Sequence, residues 1–228
     1  MHTVLQSRSF PLIREVPRGL SVWYDVQRLA CSRDFGVIFD VGANVGQTAY
    51  GLVRYFPKSE IYCFEPVRDT FNILCSRYGT MVNCYRLAFG AERSDMEIST
   101  FSESELNSFC EVRASAISVG RERVVVDTVD GFCETHRIET IDILKMDVQG
   151  WEMNVITGAA NMLDRRSVRF VLAEVGFRAR DRDMQDFGEL NGFLDKLGFE
   201  LCGFYDHFRW GPGKGYLGFT NALFWLPG

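Results

Sequence analysis

Residues 38–50 read IFDVGANVGQTAY: an apolar run ending in Asp40, two glycines bracketing a short loop, then residues that can open a helix. Glycine in such a turn lets backbone come close to a ligand. Asp40, just ahead of the turn, suits a ligand that offers hydroxyls or positive charge better than one that offers phosphate.

The pattern D-x-G-x-N-x-G differs from the G-x-G-x-x-G of dinucleotide sites. The next apolar run, 60-EIYCFEP-66, ends in Glu65, 25 positions after Asp40. An acid at the end of the second strand of a nucleotide-binding βαβ unit accepts hydrogen bonds from ribose hydroxyls. A dinucleotide would need the loop amides and helix N-terminus for its pyrophosphate. S-adenosylmethionine carries no phosphate; it has a ribose, an adenine, an amino acid and a sulfonium. Asp40 fits its amino-acid end and Glu65 its ribose. Ala88 and Phe89, after the third strand, are candidates for the adenine rim.

Outward from this stretch, short apolar runs alternate with segments of helical period, which predicts a mostly parallel sheet covered by helices. Strands are expected near 36–41, 60–64, 82–87, 123–127, 141–146, 169–174, 199–205 and 219–226, and helices near 46–56, 67–78, 128–137, 150–163 and 184–197. Pro57, Gly79 and Gly198 end helices. The last two strands flank 210-WGPGKGYLG-218, which has no helical period, so they form an antiparallel pair at one side of the sheet. Residues 34–228 are expected to be one domain. Residues 1–33 form a helical leader that packs on it through Val22, Val26, Leu29 and Ala30.

Composition narrows the function. A hydrophobic share of 46%, a charged share of 24% and 228 residues suit a globular domain with a sizeable core. The net charge of −5 argues against nucleic acid, whose phosphates need a basic footprint; Arg165–Arg166 and the alternating Arg178, Arg180 and Arg182 are taken as solvated faces. No apolar run reaches the roughly 18 residues of a membrane span. The N-terminal stretch lacks a secretion signal's apolar core and cleavage site. Seven cysteines without a CxxC pair suggest a reducing cytoplasm, with neither zinc site nor disulfide framework. No ligand spacing demands a metal, and oligomeric state is not legible.

Three blocks, IFDVGANVGQT (38–48), IYCFEPV (61–67) and IDILKMDVQGWEMNVITGA (141–159), resemble the signature blocks of the FkbM-type methyltransferases. The likeness runs from about residue 37 to the end. It implies a Rossmann-like class I methyltransferase fold of the α/β class, a seven-stranded, mostly parallel sheet with an antiparallel last strand. It also implies S-adenosylmethionine as cofactor and, as acceptor, a small-molecule hydroxyl such as that of a sugar or polysaccharide precursor. The cofactor contacts it implies are Gly42, Asn44, Gly46, Gln47, Thr48, Glu65, Pro66 and Asp147, besides Asp40, Ala88 and Phe89. The polar loop Leu106-Asn107-Ser108-Phe109 resembles a stretch that closes over the cofactor.

Methyl transfer needs the acceptor oxygen aligned and its proton removed. In 145-KMDVQGWEMNVITGA-159 the polar residues Lys145, Asp147, Gln149 and Glu152 cluster where a buried strand ends, the rim at which open α/β sheets bind ligands. Asp147 is the first choice for the base or for orienting the acceptor, and Glu174, ending RFVLAE, is the second. His207, in FYDHFRWG, is a third candidate. Glu152 is expected to cap its helix; His136 is expected on the surface and His2 in the leader. Trp151, Tyr205 and Trp210 are candidates for an aromatic wall against a sugar. The family usually shows Asp-x-Glu-Gly where this chain has Asp147-Val148-Gln149-Gly150, and glutamine can neither take a proton nor hold a metal as glutamate would. Gln149 therefore keeps open a catalytically silent S-adenosylmethionine-binding protein. A nicotinamide-dependent oxidoreductase is disfavoured by the missing glycine fingerprint and Tyr-x-x-x-Lys pair, and an RNA methyltransferase by the acidic balance.

Overall fold

In the computed structural model, which describes residues 16–32, 34–110, 117–178 and 184–228, β1 (Val37–Val41) is an interior strand, third of seven, in the main sheet. From Ile38 to Val41 every residue is buried, as a parallel strand covered on both faces requires. After α1 (Val22–Leu29) and β1 come α2 (Gln47–Tyr55), β2 (Glu60–Phe64), α3 (Arg68–Tyr78) and β3 (Asn83–Tyr85). The second half of the sheet follows as α4 (Val129–His136), β7 (Ile141–Met146), α5 (Glu152–Thr157), α6 (Ala160–Asp164), β8 (Val168–Gly176), α7 (Phe187–Lys196), β9 (Glu200–Trp210) and β10 (Tyr216–Trp225).

The strand order is β3-β2-β1-β7-β8-β10-β9. Successive strands step outward in one direction from β1 and in the other from β7, so a crevice opens above the carboxyl ends of these two neighbours. β10 runs antiparallel to both β8 and β9, which is the antiparallel last strand the sequence implies. Both hairpin strands are longer than the apolar runs suggested, because Phe208 to Trp210 on one strand and Tyr216 and Leu217 on the other extend the ladder toward the loop.

One face of the sheet buries Phe39, Val41 and Leu144 against Phe132, Val155, Leu190 and Leu194. The other buries Ile38, Ile143 and Leu223 against Val22, Val26, Ala49 and Leu52. The helix at Val22–Leu29 thus contributes to the core through the residues its periodicity singled out. Residues 1–15, with His2, lie outside the described residues, as do Arg180 and Arg182.

Two expectations change. The strand near 123–127 belongs to a separate three-stranded sheet, ordered β4 (Ala88–Phe89), β6 (Ser118–Asp127), β5 (Ser94–Phe101). β5 escaped the sequence reading because Ile98 is its one buried residue, too weak an apolar alternation to signal a strand. The helix near 150–163 is two short helices. An added Cβ at Gly158 would run into the Gly90 carbonyl, and this close backbone approach breaks the helix where sequence period alone continues it.

Candidate functional site

The crevice holds a cavity of about 580 Å³. Its first wall is the turn after β1. Gly42 has φ +76°, and a Cβ there would strike the Asp147 carbonyl, so only glycine lets the two strand ends come together. Asn44, Gln47 and Thr48 of the turn line the cavity. Asn44 accepts a hydrogen bond from the Ser104 hydroxyl at 3.0 Å, and Gln47 donates to Glu105 at 3.3 Å. These contacts tie the turn to a short 3-10 segment, Ser104–Leu106, that covers it. Gly46, also left-handed at φ +92°, does not line the cavity; a Cβ there would meet the Tyr78 ring. Its role is packing, a correction to its expected place at the ligand.

Glu65 stands at the end of β2, 6% exposed and facing the cavity beside Pro66. Its carboxylate accepts from the Asn44 amide at 3.0 Å, the Val67 amide at 2.8 Å and the Thr70 hydroxyl at 3.0 Å. Burial pushes its pKa up to about 7, against the downward pull of these donors. The side chain is therefore fixed before any ligand arrives. Leu87, Ala88 and Phe89 line the next stretch of wall, with Trp151, whose indole N–H donates to the Phe89 carbonyl at 3.2 Å. Phe109 packs on Trp151 with ring centroids 5.0 Å apart, and the buried Ser108 donates to the Gln149 carbonyl at 2.9 Å. Residues 106–109 thus line the cavity.

Asp40 is placed differently from its expected contact with a ligand. It is fully buried and does not line the cavity. Parallel pairing of β1 with β7 sets Asp40 opposite Lys145, whose ammonium lies 3.0 Å from its carboxylate. Lys145 does face the cavity and lies 3.6 Å from Asp147. Burial works to lower the Lys145 pKa, yet Asp40, Asp147 and Glu174 together raise it, so the ammonium keeps its charge.

Beyond Lys145 the chemistry concentrates. Gln149, at φ +53°, directs its amide nitrogen to Asp147 at 3.0 Å and to Glu174 at 3.1 Å. The glutamine that cannot replace a carboxylate chemically acts instead as a clamp, giving one proton to each of two acids. Burial, then the negative charge of Asp147 and Glu152, raises the Glu174 pKa well above the ordinary carboxyl range. Glu152, the first residue of α5 and fully buried, accepts from the Val148 amide of the preceding turn at 2.9 Å rather than from a helix amide, and burial pushes its pKa up to about 7.

Met184, Phe208, Trp210 and Phe219 close the far end. His207 and Tyr205 are not there. His207 contacts the Thr220 hydroxyl at 2.9 Å outside the cavity lining, because strand β9 continues through it and alternation presents Phe208 and Trp210 instead. Tyr205 is buried on the opposite face of the sheet, donating to Asp25 at 2.8 Å. His136 is exposed and stacks on Phe132. Lys145 and the aromatic pair Phe208 and Phe219 are site residues whose part the sequence reading did not assign. A lysine inside an otherwise apolar strand was the available signal for the first. Among the described residues no cluster of His, Cys, Asp and Glu has metal-binding geometry, and no helix is long and apolar enough to cross a membrane.

Comparison with known proteins places residues 40–201 within the model of the methyltransferase FkbM domain. The hexuronic acid methyltransferase AglP of Haloferax volcanii is 29% identical over 69% of this chain and 64% of its own length. The 2-O-methyltransferase NoeI of Sinorhizobium fredii is 25% identical over 60% of this chain and 62% of its own. The chain therefore spans a little under two thirds of these curated relatives. A solved FkbM methyltransferase from Methylobacillus flagellatus KT shares the fold, with a TM-score of 0.56 at 14% identity, over 85% of this chain and 44% of that one.

Proposed function

The chain belongs to the FkbM methyltransferase family, and from that premise we propose that it transfers a methyl group from S-adenosylmethionine to a hydroxyl of a small molecule, a sugar or polysaccharide precursor. The observation that carries this reading is the pair of cavity-facing acids, Asp147 and Glu174, bridged by Gln149 at 3.0 and 3.1 Å.

The donor set suits the cofactor. Among the described residues the charged lining consists of Glu65, Glu103, Glu105, Asp147 and Glu174 against the one ammonium of Lys145, which is already paired. A pyrophosphate would be repelled there, whereas a sulfonium and an amino group would be welcome. Glu65 would hold the ribose hydroxyls, Ala88 and Phe89 the adenine, and the turn at Gly42 and Asn44 with Asp147 the amino-acid end. When bound, the cofactor supplies an electrophilic methyl carbon on an activated leaving group.

The chain's residues do the rest. Asp147, fixed by Lys145 and Gln149, orients the acceptor hydroxyl. Glu174 accepts the hydroxyl proton as the oxygen–carbon bond forms, and later releases it to solvent. The raised pKa suits Glu174 to this part, since a carboxylate held above its ordinary range is a stronger proton acceptor. The names of the relatives AglP and NoeI, one a hexuronic acid methyltransferase and the other a 2-O-methyltransferase, support a sugar hydroxyl.

The test follows isotopic methyl from S-adenosylmethionine into a pool of hydroxylated acceptors. Label is expected in an acid- and base-stable ether, with one S-adenosylhomocysteine released per methyl. Binding of the cofactor with no S-adenosylhomocysteine formed in any pool would instead identify a silent binder.

A further inference from the structure

The far end of the cavity is built unlike the rest. Phe208, Trp210 and Phe219 come from the β9–β10 hairpin and face the same space as Glu174 and Asp147. Phe208 and Phe219 are cross-strand partners, stacked with centroids 4.8 Å apart and planes within 9°. Trp210 meets Phe219 edge-on at 6.0 Å. Its indole packs against Gly218, where an added Cβ would stand 2.8 Å from the ring. A side chain at 218 would lift the indole off the strand, so the glycine fixes it as a platform rather than a mobile tip. The pairing register shifts at this point, between Leu217 and Phe219, an irregularity of the kind that re-aims side chains at a strand end.

An apolar platform beside buried carboxyls is an amphipathic site. A wholly apolar acceptor would leave Asp147 and Glu174 desolvated without new hydrogen-bond donors, which is costly. A ring with one face of C–H groups and hydroxyls around its rim would satisfy both. The charge of the ring is also constrained. Lys145, the one cation in the described lining, is already shared between Asp40 and Asp147, and Glu152 adds its carboxyl behind Glu174. Among the described residues that line this end, a further carboxylate would meet like charge with no unpaired cation to answer it.

On the basis of the methyltransferase reading, we infer that the hairpin end is the acceptor subsite and takes a neutral or amine-bearing pyranose, excluding uronic acids. Trp210 is the specificity-determining contact. This separates the chain from its relative AglP, whose name gives a hexuronic acid as substrate.

The experiment is a saturation-transfer NMR titration of the full chain, held with S-adenosylhomocysteine, against methyl pyranosides of several ring configurations in neutral, amino and uronate forms. At least one neutral or amino pyranoside is expected to bind ten or more times more tightly than its uronate. Trp210→Ala should weaken that binding about tenfold while calorimetric affinity for S-adenosylhomocysteine is unchanged, and Trp210→Phe should restore most of it. Uronates binding as well as or better than neutral rings, no pyranoside binding at all, or a Trp210→Ala protein that holds its cofactor product and binds sugar as before would each overturn the inference. Binding is read without turnover, so failure of methyl transfer in the label experiment stands as a separate result.

Discussion

Glu174→Gln should lower kcat by about 10²–10⁴-fold, the usual worth of a positioned general base, with cofactor affinity little changed. The amide keeps the shape of the side chain at the end of β8 and can still accept from Gln149, so the fold has no reason to alter. What disappears is a place for the acceptor proton. The pH profile separates this loss from a structural one. Because burial and the charge of Asp147 raise the Glu174 pKa, the base-active form accumulates only as pH climbs through that raised value. Wild-type kcat is therefore expected to rise with pH along a limb that Glu174→Gln lacks. In Asp147→Asn the limb should survive but move to lower pH, because the carboxylate that helps raise the Glu174 pKa has been neutralised. A rate-pH profile identical in wild type and Glu174→Gln would remove Glu174 from the proton's path.

Lys145→Met should destabilise the native state by about 3–5 kcal/mol near pH 8, since removing one partner leaves a buried charge uncompensated. The charge in question is Asp40, fully buried, with Oδ2 accepting no hydrogen bond and Lys145 at 3.0 Å its counter-ion. Burial already raises the Asp40 pKa, and Lys145 is the main influence lowering it. Without Lys145 the folded-state pKa climbs further above the unfolded value of 3.8. A carboxyl shifted upward stabilises the fold below its unfolded pKa and loses that contribution as pH rises through the folded one. The deficit of Lys145→Met should therefore be smaller at pH 5 than at pH 8. Asp40→Asn with Lys145→Met should recover most of it, because the buried charge is then gone. Urea unfolding at both pH values reads this. A single substitution costing under about 1 kcal/mol at pH 8 would show that the pair does not anchor β1 to β7.

The two residues of that pair illustrate what sequence can and cannot give. IFDVGANVGQT discloses a strand, a turn and an acid because these are local properties: apolar run, glycine, strand end. The partner of Asp40 is 105 positions away, and only the register Ile38 to Ile143, Asp40 to Lys145 brings it near. Two opposite charges, each near the carboxyl end of a buried strand, were the clue that each served the other. That Glu65, Ala88, Phe89, Asp147 and Glu174 line one cavity was legible for a simpler reason, since strand ends of an open sheet share one rim. His207 misled because two polar neighbours, Asp206 and Arg209, made a continuing strand look like a loop. Gln149, read in the sequence, put a pair of carboxylates at this turn in doubt and kept a silent binder open. Its geometry, one amide between two acids, became visible only once β8 delivered Glu174 beside it.

The account depends on a donor lying between Glu65 and the Asp147–Glu174 end, and calorimetric titration of S-adenosylhomocysteine into wild type and Glu65→Ala examines that placement. Two ribose hydroxyls bonded to a prefixed carboxylate should be worth about 1.5–3 kcal/mol, so the variant is expected to bind roughly 10–100 times more weakly. Equal affinity in the two proteins would put the nucleoside elsewhere and contradict the assignment of this cavity.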